Sequence, residues 1–440
     1  MGKDRRTTLL VKNVLASFLV KGWSACVLLL MVPLTLKCLG VYENGVWLTV
    51  GSLLIWIDQM DIGLGNGLRN KLAIHIAHQQ TREARQIVSS TMAMLICIVI
   101  PILLLLSFLV WNTDVYRFLN VRPDAIPELR IALLYGIILV CMTFVLKFIG
   151  NVYMGMQLPA ISNLLMALGQ TLALIFTALL YYSGTATFVS IVVANTAAPL
   201  LVYLLSYPYT FRIQFPELRP SLRYVNLHAA AELGNLGIKF FWIQIATVIQ
   251  MMSSNILISN FFSPEMVTPY HIAYRYLSLV MVAFTIICMP SWTATTDAYE
   301  RGDIAWISRI NQKMNWMIIA FGALLLLMVA VSPWVYQIWI GEACHIPFGM
   351  TVMMALYIYL MIISLRYAYF LNGVGALRLQ LYMTVSTIIY IPLAWVVSTY
   401  TQDILWFMAV MCICIAPSLI TNMIQFHKIL HGTATGIWIR

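Results

Sequence analysis

Seven charged side chains lie inside long apolar stretches of this 440-residue sequence and cannot be assigned to loops, and they are the residues best suited to chemistry. They are Lys21, Lys147, Lys239, Arg275, Arg366, Asp58 and Asp61. An ionised group at mid-bilayer costs about 2.5–3.5 kcal/mol on insertion scales, so such groups usually face a protein interior, a partner or water. Arg and Lys bind phosphate through charge-assisted hydrogen bonds. If several of the five cations line one cavity, that cavity is predicted to bind an anion.

Each basic residue also has a simpler interpretation. Lys21, Lys147 and Lys239 lie within about two turns of predicted cytoplasmic helix ends, where a long side chain reaches the head groups. Arg366, near the cytoplasmic end of its predicted helix, presents the same choice. Arg275, with His271 one turn before it, lies near the outer end of its helix and faces either a water-filled cavity or the interface. The sequence leaves both interpretations open.

The two aspartates are three residues apart, so Asp58 and Asp61 share one helix face. Two carboxylates placed in this way bind Na+ or a proton, or they pair with Lys21 or Arg69. Alternate glycines follow directly at 63, 65 and 67 and end or loosen the helix there. The hypotheses are therefore a structural ion pair and, as the alternative, a site for a coupling ion. We expect no other cofactor.

The elements that must position these residues are membrane-spanning helices. The chain is 61% hydrophobic and 10% charged, whereas soluble domains carry about 25% charged residues. Apolar blocks of about 20 residues recur along it, and that length crosses a hydrocarbon core at 1.5 Å per residue. The predicted spans are residues 13–38, 45–66, 87–111, 130–153, 160–182, 187–208, 234–260, 269–292, 314–337, 347–370, 379–399 and 404–426. The first block exceeds a cleavable signal peptide in length, so we interpret it as a retained anchor helix.

The distribution of Lys and Arg predicts which side each loop occupies. With a cytoplasmic N-terminus, the inside segments carry 17 of these residues and the outside loops carry 4. This asymmetry predicts that both termini are cytoplasmic. The net charge of +10 is then mainly a topology signal and secondarily an attraction to anionic lipids, not a sign of nucleic-acid binding. The eight cysteines have no zinc-site spacing, and no structural disulfide is expected.

The longest cytoplasmic segment, 210–233, follows the sixth span and divides the chain. The predicted domains are an N-lobe at 1–208, a connector at 209–233 and a C-lobe at 234–440. Each half holds six spans, so both enter from the same side and form parallel repeats. The predicted fold is an all-α membrane protein of about twelve transmembrane helices, in two six-helix lobes related by a pseudo-twofold axis around a central cavity.

Four sequence segments resemble those of a known family. Residues 61–73 read DIGLGNGLRNKLA, and residues 292–303 read WTATTDAYERGD. Residues 332–341 read SPWVYQIWIG, and residues 371–380 read LNGVGALRLQ. These segments, found in both halves, resemble bacterial O-antigen and polysaccharide flippases of the multidrug/oligosaccharidyl-lipid/polysaccharide (MOP) exporter superfamily.

This resemblance implies a transporter and not an enzyme. Its substrate would be an undecaprenyl-diphosphate-linked oligosaccharide, an O-antigen or capsular repeat unit, moved across the bacterial inner membrane during lipopolysaccharide or related polysaccharide biosynthesis. It implies membrane lipid as surroundings, and a polysaccharide polymerase and chain-length proteins as partners. A cationic central cavity receives the diphosphate in superfamily members that handle lipid-linked sugars. The five basic residues fit that role by their chemistry.

Two alternative functions fit the charged residues and loops of this sequence less well. A cation-coupled multidrug exporter of the same superfamily needs an acidic cavity for its mostly cationic substrates, and the intramembrane charge here is mainly basic. A membrane glycosyltransferase or O-antigen polymerase needs a large outer loop with catalytic residues. The longest predicted outer loop, 112–129, is short and carries no such set.

Overall fold

A computed structural model describes the chain except for residues 1–2, 59–63, 227–252, 377 and 440. It describes the backbone alone for residues 3–17, 58, 66, 286–287, 289–294, 296–297, 300, 373, 381 and 384–388. Within the described ranges the regular elements are all helical. Clustering in space divides the chain into two compact units, Met1–Ile245 and Ala246–Arg440, called the N-unit and the C-unit below. The predicted lobe boundary at 234 falls outside the described residues and stays a prediction.

The first helix of the N-unit, α1 (Lys3–Asp58), joins two predicted spans in one 56-residue element. The sequence predicted a loop at 39–44 between these spans. The structure has instead a single non-helical residue, Gly40, with φ 68° and ψ −179°. Only glycine adopts this conformation readily because it has no Cβ. One residue therefore interrupts the helix where a six-residue loop was expected.

Seven further helices follow in the described part of the N-unit. They are α2 (Leu64–Ala77), α3 (Thr81–Asn112), α4 (Val115–Leu119), α5 (Leu129–Leu146), α6 (Phe148–Gly155), α7 (Pro159–Ser183) and α8 (Phe188–Pro208). A predicted span at 130–153 is divided into α5 and α6 by a turn at Lys147. α6 packs tightly against α2, since a Cβ added to Gly155 would lie 2.9 Å from Leu72 Cδ2 and 3.2 Å from the Arg69 carbonyl oxygen.

The connector begins as a folded segment that docks on the N-unit. α8 continues into a π-helical turn, Tyr209–Gln214, and two short 3-10 turns, Pro216–Leu218 and Leu222–Tyr224. The Tyr153 hydroxyl lies 3.0 Å from Thr210 Oγ1 and donates to Gln214 Oε1 at 2.7 Å. These contacts fix the start of the connector against α6.

α3 holds the rest of the described connector. Arg85 Nε donates to the carbonyl oxygen of Arg219 at 2.9 Å, and the Arg85 guanidinium lies 4.1 Å from the centroid of the Tyr224 ring. Ser90 Oγ accepts from the Asn226 amide at 2.9 Å and donates to its carbonyl oxygen at 3.3 Å. The connector up to Asn226 is therefore part of the N-unit, although the sequence predicted only a polar loop.

The described C-unit begins with the helix α9 at 253–261. It continues with α10 (Pro264–Glu300), α11 (Ile304–Trp339), α12 (Phe348–Val374), α13 (Arg378–Thr401) and α14 (Ile404–Leu430). α10 and α11 meet at a tight turn in which Gly302 has φ 72° and Asp303 caps α11 by accepting from the Trp306 amide at 2.9 Å. The residues between the predicted spans 269–292 and 314–337 thus belong to these two long helices and the turn that joins them.

The chain is a multi-pass membrane protein. Eight described segments are long and apolar enough to cross a bilayer. The first of them, Phe18–Ile57, has 40 residues, which is room for about two crossings. Large apolar side chains face outward along these helices, among them Leu104, Phe108 and Leu326. In water such a surface would be costly, whereas in lipid it is the expected exterior.

Candidate functional site

An arginine–histidine pair on α10 is the best-defined polar feature inside the C-unit. Arg275 Nε donates to His271 Nε2 over 3.0 Å, one helical turn away. A ring nitrogen that accepts a hydrogen bond carries no proton, so His271 is the neutral tautomer protonated at Nδ1. The bond holds one edge of the planar guanidinium and leaves both terminal nitrogens of Arg275 as a fork. That fork matches the geometry of a phosphate or carboxylate.

Tyrosines flank the pair along α10. The His271 ring centroid lies 6.2 Å from that of Tyr274. Tyr270, the residue before His271, donates to Met411 Sδ at 3.6 Å and also forms a hydrogen bond with Ser254, whose Oγ lies 3.0 Å from the Tyr390 hydroxyl. Neutral aromatic hydroxyls therefore lie on the same stretch of α10 as the pair.

Arg366, the other predicted site arginine in the C-unit, is enclosed by its own bundle. Only 6% of the residue is exposed, and its Nη2 donates to the carbonyl and side-chain oxygens of Asn311 on α11. Its guanidinium also lies 4.8 Å from the centroid of the Tyr367 ring. The adjacent cavity, lined in part by Thr295, Asn311 and Phe426, measures about 20 Å³. That is room for about one water molecule and not for a sugar or a diphosphate.

α10 separates the two arginines along its length. Arg366 lies near Cys288, which follows Arg275 by 13 residues on the same continuous helix. At 1.5 Å per residue this spacing is about 20 Å. The structure therefore does not bring Arg275 and Arg366 together on one patch of the C-unit.

The remaining predicted site residues belong mainly to the N-unit. Lys21 is half-buried on α1, and Lys147 lies at the α5–α6 turn with its ammonium 5.3 Å from the Phe144 ring centroid. Asp58 is the last residue of α1, and its side chain is not described. Lys239 and Asp61 lie outside the described residues. A shared cavity for these residues stays a prediction.

The described acidic side chains avoid the middle of the helices. Glu83 and Glu265 occupy first turns, and Asp303 and Asp403 cap helix N-termini. Glu43 lies just after the break at Gly40, and the other described carboxylates are in loops or short turns. Among the described residues, His, Cys, Asp and Glu form no group that could hold a metal ion. The charge within the described spans is therefore basic.

The sequence indicated some of these contacts and not others. His271 was noticeable because it precedes Arg275 by four residues, the spacing at which helical side chains meet. Asn311, the partner of Arg366, was missed because it is 55 residues away in a polar run. Ser254 and Tyr390, 136 residues apart, gave no local signal of their contact.

Comparison with known proteins identifies the fold. No family model and no curated protein sequence matches the chain. Among solved structures, the inward-facing conformation of a multidrug resistance MATE family transporter of the MOP superfamily matches with TM-score 0.78 and 15% identity, covering 93% of this chain and 96% of that one. The outward-facing conformation of a multidrug resistance MATE family transporter matches with TM-score 0.64 and 14% identity, covering 96% of each chain.

A third structure is of a MOP superfamily transporter from Pyrococcus furiosus, described as having a binding pocket of reverse polarity that suggests a different function. It matches with TM-score 0.65 and 13% identity, covering 96% of this chain and 95% of that one. The chain thus has the fold of MATE transporters, and the predicted all-α architecture of about twelve transmembrane helices is confirmed.

Proposed function

We propose that this protein is a flippase that moves an undecaprenyl-diphosphate-linked oligosaccharide from the cytoplasmic to the periplasmic leaflet of a bacterial inner membrane by alternating access. One observation carries the proposal: basic side chains lie within the spans, while every described carboxylate lies at a helix end, beside the Gly40 break or in a loop. A transporter with this charge balance favours an anionic head group over a cationic one.

Arg275 is the residue best prepared to hold the diphosphate. Its guanidinium is oriented by His271 and presents two terminal nitrogens, the geometry that suits a phosphate oxygen pair. Lys21, Lys147 and Lys239 are assigned as further contacts. Arg366 is included in the cationic set, although Asn311 already holds its guanidinium. Binding of the diphosphate offsets repulsion among the cations and so favours closure of the lobes around it.

The polyprenyl tail stays in lipid while the head group crosses. The transfer of an apolar chain from lipid to water costs about 0.8 kcal/mol of free energy for each CH₂ group, so a path that leaves the tail in the bilayer is strongly favoured. Both termini are assigned to the cytoplasm from the distribution of basic residues. A polysaccharide polymerase and chain-length proteins are the proposed partners after translocation.

The alternative function is cation-coupled multidrug export. The fold is equally consistent with it, because the similar structures include multidrug transporters. The Pyrococcus furiosus structure, with its pocket of reverse polarity, supports the view that this fold accepts pockets of more than one charge. Asp58 and Asp61 are the proposed residues for coupling to Na+ or a proton under either function.

Single alanine replacements of Lys21, Lys239 and Arg275 test the proposal. In a strain lacking the chromosomal copy, each variant is expected to reduce surface polysaccharide, whereas Lys for Arg, or Arg for Lys, should retain part of it because the charge remains. Arg117→Ala, at an exposed position in α4, is the matched control and should have no effect. Full polysaccharide in all three alanine variants contradicts the anionic-cavity proposal, and export of cationic dyes by the wild type supports the alternative.

A further inference from the structure

A polar cavity lies within the C-unit, apart from the basic residues discussed above. It has a volume of about 460 Å³ and is formed where α9 ends, α10 begins and α13 ends. Ligand sites in proteins commonly enclose about 300–1,000 Å³, so this volume suits a small ligand. By the predicted topology these helix ends face the periplasm, the side on which a translocated head group would be released.

The side chains that line the cavity are neutral hydrogen-bonding groups and aromatic rings. The polar ones are Asn260, Ser263, Ser398, Thr399 and Gln402, and Phe261 contributes a ring. The lining residues include no ionisable side chain, so an ionic ligand would find no counter-charge there. Amides and hydroxyls both donate and accept, which matches the many hydroxyl groups of a sugar, and an aromatic ring suits a sugar's apolar face.

Ser398 provides independent support for a ligand. It is 2% exposed, it borders the cavity, and its Oγ has no hydrogen-bond partner. A buried polar atom without a partner costs about 1–3 kcal/mol, and a ligand hydroxyl in the cavity offers the missing bond after a small side-chain shift. The buried Ser332 differs in this respect, since its Oγ donates to the Val329 carbonyl oxygen at 2.7 Å.

The end of α13 places a side-chain amide at the cavity. Gln402, which lines the cavity, adopts the left-handed conformation with φ 50°, as Gln79 and Gln157 do elsewhere in the chain. The conformation by itself therefore does not indicate a ligand. The contribution of Gln402 to the cavity is an amide that both donates and accepts hydrogen bonds.

We propose that this cavity is a binding site for a neutral sugar. The inference deepens the proposed function, on which it rests for the physiological ligand: the site would hold an uncharged sugar of the repeat unit while basic residues elsewhere hold the diphosphate. The sugar bonds to the neutral amides and hydroxyls, and Ser398 gains its partner. Water is the competing occupant, and the experiment distinguishes the two.

The test is binding of soluble sugars to the purified full-length chain in detergent. Saturation-transfer NMR with glucose, galactose, mannose and N-acetylglucosamine is expected to detect at least one of them. Thr399→Val removes one hydroxyl without a change of shape and should weaken that binding about three- to tenfold. Thr401→Val is the matched control, because both hydroxyls donate to a carbonyl four residues earlier at 2.8 Å but only Thr399 lines the cavity.

Two further variants keep the test independent of folding. Gln402→Gly removes the amide and suits the left-handed backbone, so binding should fall while thermal stability is kept or raised. Ser398→Ala should also preserve stability, since no protein hydrogen bond is lost, whereas Ser332→Ala should lower it. Absence of binding by all four sugars, or binding unchanged in both Thr399→Val and Gln402→Gly, overturns the proposal.

The sugar-binding and polysaccharide-export experiments together distinguish a failure of the sugar site from a failure of the anionic-cavity proposal. If sugars bind at the cavity while Lys21→Ala, Lys239→Ala and Arg275→Ala all keep full polysaccharide export, the anionic-cavity proposal fails and the sugar site stands. If Arg275→Ala loses export while no sugar binds the wild type, the sugar site fails and the anionic-cavity proposal stands.

Discussion

The His271–Arg275 pair allows a quantitative test of how the anion is held. We treat His271 as a positioning residue that orients the guanidinium through the 3.0 Å bond from Nε. The perturbation is a double-mutant cycle of His271→Ala, Arg275→Ala and both together. The readout is the dissociation constant of inorganic pyrophosphate, measured by calorimetry on the purified chain.

The expected magnitudes follow from the two roles. Arg275→Ala removes hydrogen bonds between charged groups, worth about 1.5–3 kcal/mol, which corresponds to about a ten- to hundredfold weaker affinity. His271→Ala keeps the charge but frees the side chain, and ordering a flexible side chain costs about 0.5–1.5 kcal/mol. We therefore expect about a two- to tenfold loss for His271→Ala alone.

The double variant decides between positioning and a merely structural role. Once Arg275 is absent there is nothing to orient, so His271→Ala should add no further loss of affinity in the double variant. Additive losses, within about 0.3–0.5 kcal/mol, would refute the positioning role. His271→Gln, which retains a side-chain acceptor, should recover most of the affinity, and thermal stability measured in parallel identifies any variant that fails to fold.

Three predictions concern the scaffold. Ser90→Ala removes both hydrogen bonds to Asn226, so the free energy needed to detach the connector should fall by about 1–3 kcal/mol. Limited trypsin digestion should then cut the connector faster than in the wild type, and an unchanged rate of cleavage contradicts the docking. Gly155→Ala should lower the melting temperature, because overpacking costs about 1–3 kcal/mol. Gly51→Ala is the control and should keep or raise the melting temperature, because nothing lies within 4 Å of the added Cβ. Equal effects of the two substitutions would refute the close packing at Gly155. Burial raises the pKa of the Cys344 thiol to about 11, so at pH 8 only about one Cys344 thiol in a thousand is the reactive thiolate. In a variant that keeps Cys344 as its single cysteine, maleimide labelling should be slow until the protein is denatured in SDS; rapid labelling of that native variant would contradict this.

The sequence predicted the helices well where the bilayer sets their length. The span predicted at 160–182 is α7 (Pro159–Ser183), and the one predicted at 404–426 begins at the first residue of α14 (Ile404–Leu430). A spanning segment must satisfy its backbone internally and stay apolar for about 20 residues, so composition alone reveals it.

Long-range contacts could not be predicted in this way. The connector reads as a polar loop because the groups that hold it, such as Arg85, lie more than a hundred residues earlier. The break at Gly40 likewise depends on a single backbone angle, which glycine permits but does not require.

The sequence by itself determined that this is a helical membrane protein with basic residues inside its spans, because hydrophobic length and charge are local properties. It also indicated the Arg275–His271 pair, since four residues make one helical turn. Only the tertiary structure showed that Asn311 encloses Arg366 and that Ser398 lacks a partner beside a polar cavity. Such features depend on which helices pack together, and the sequence of one helix does not show which other helices it contacts.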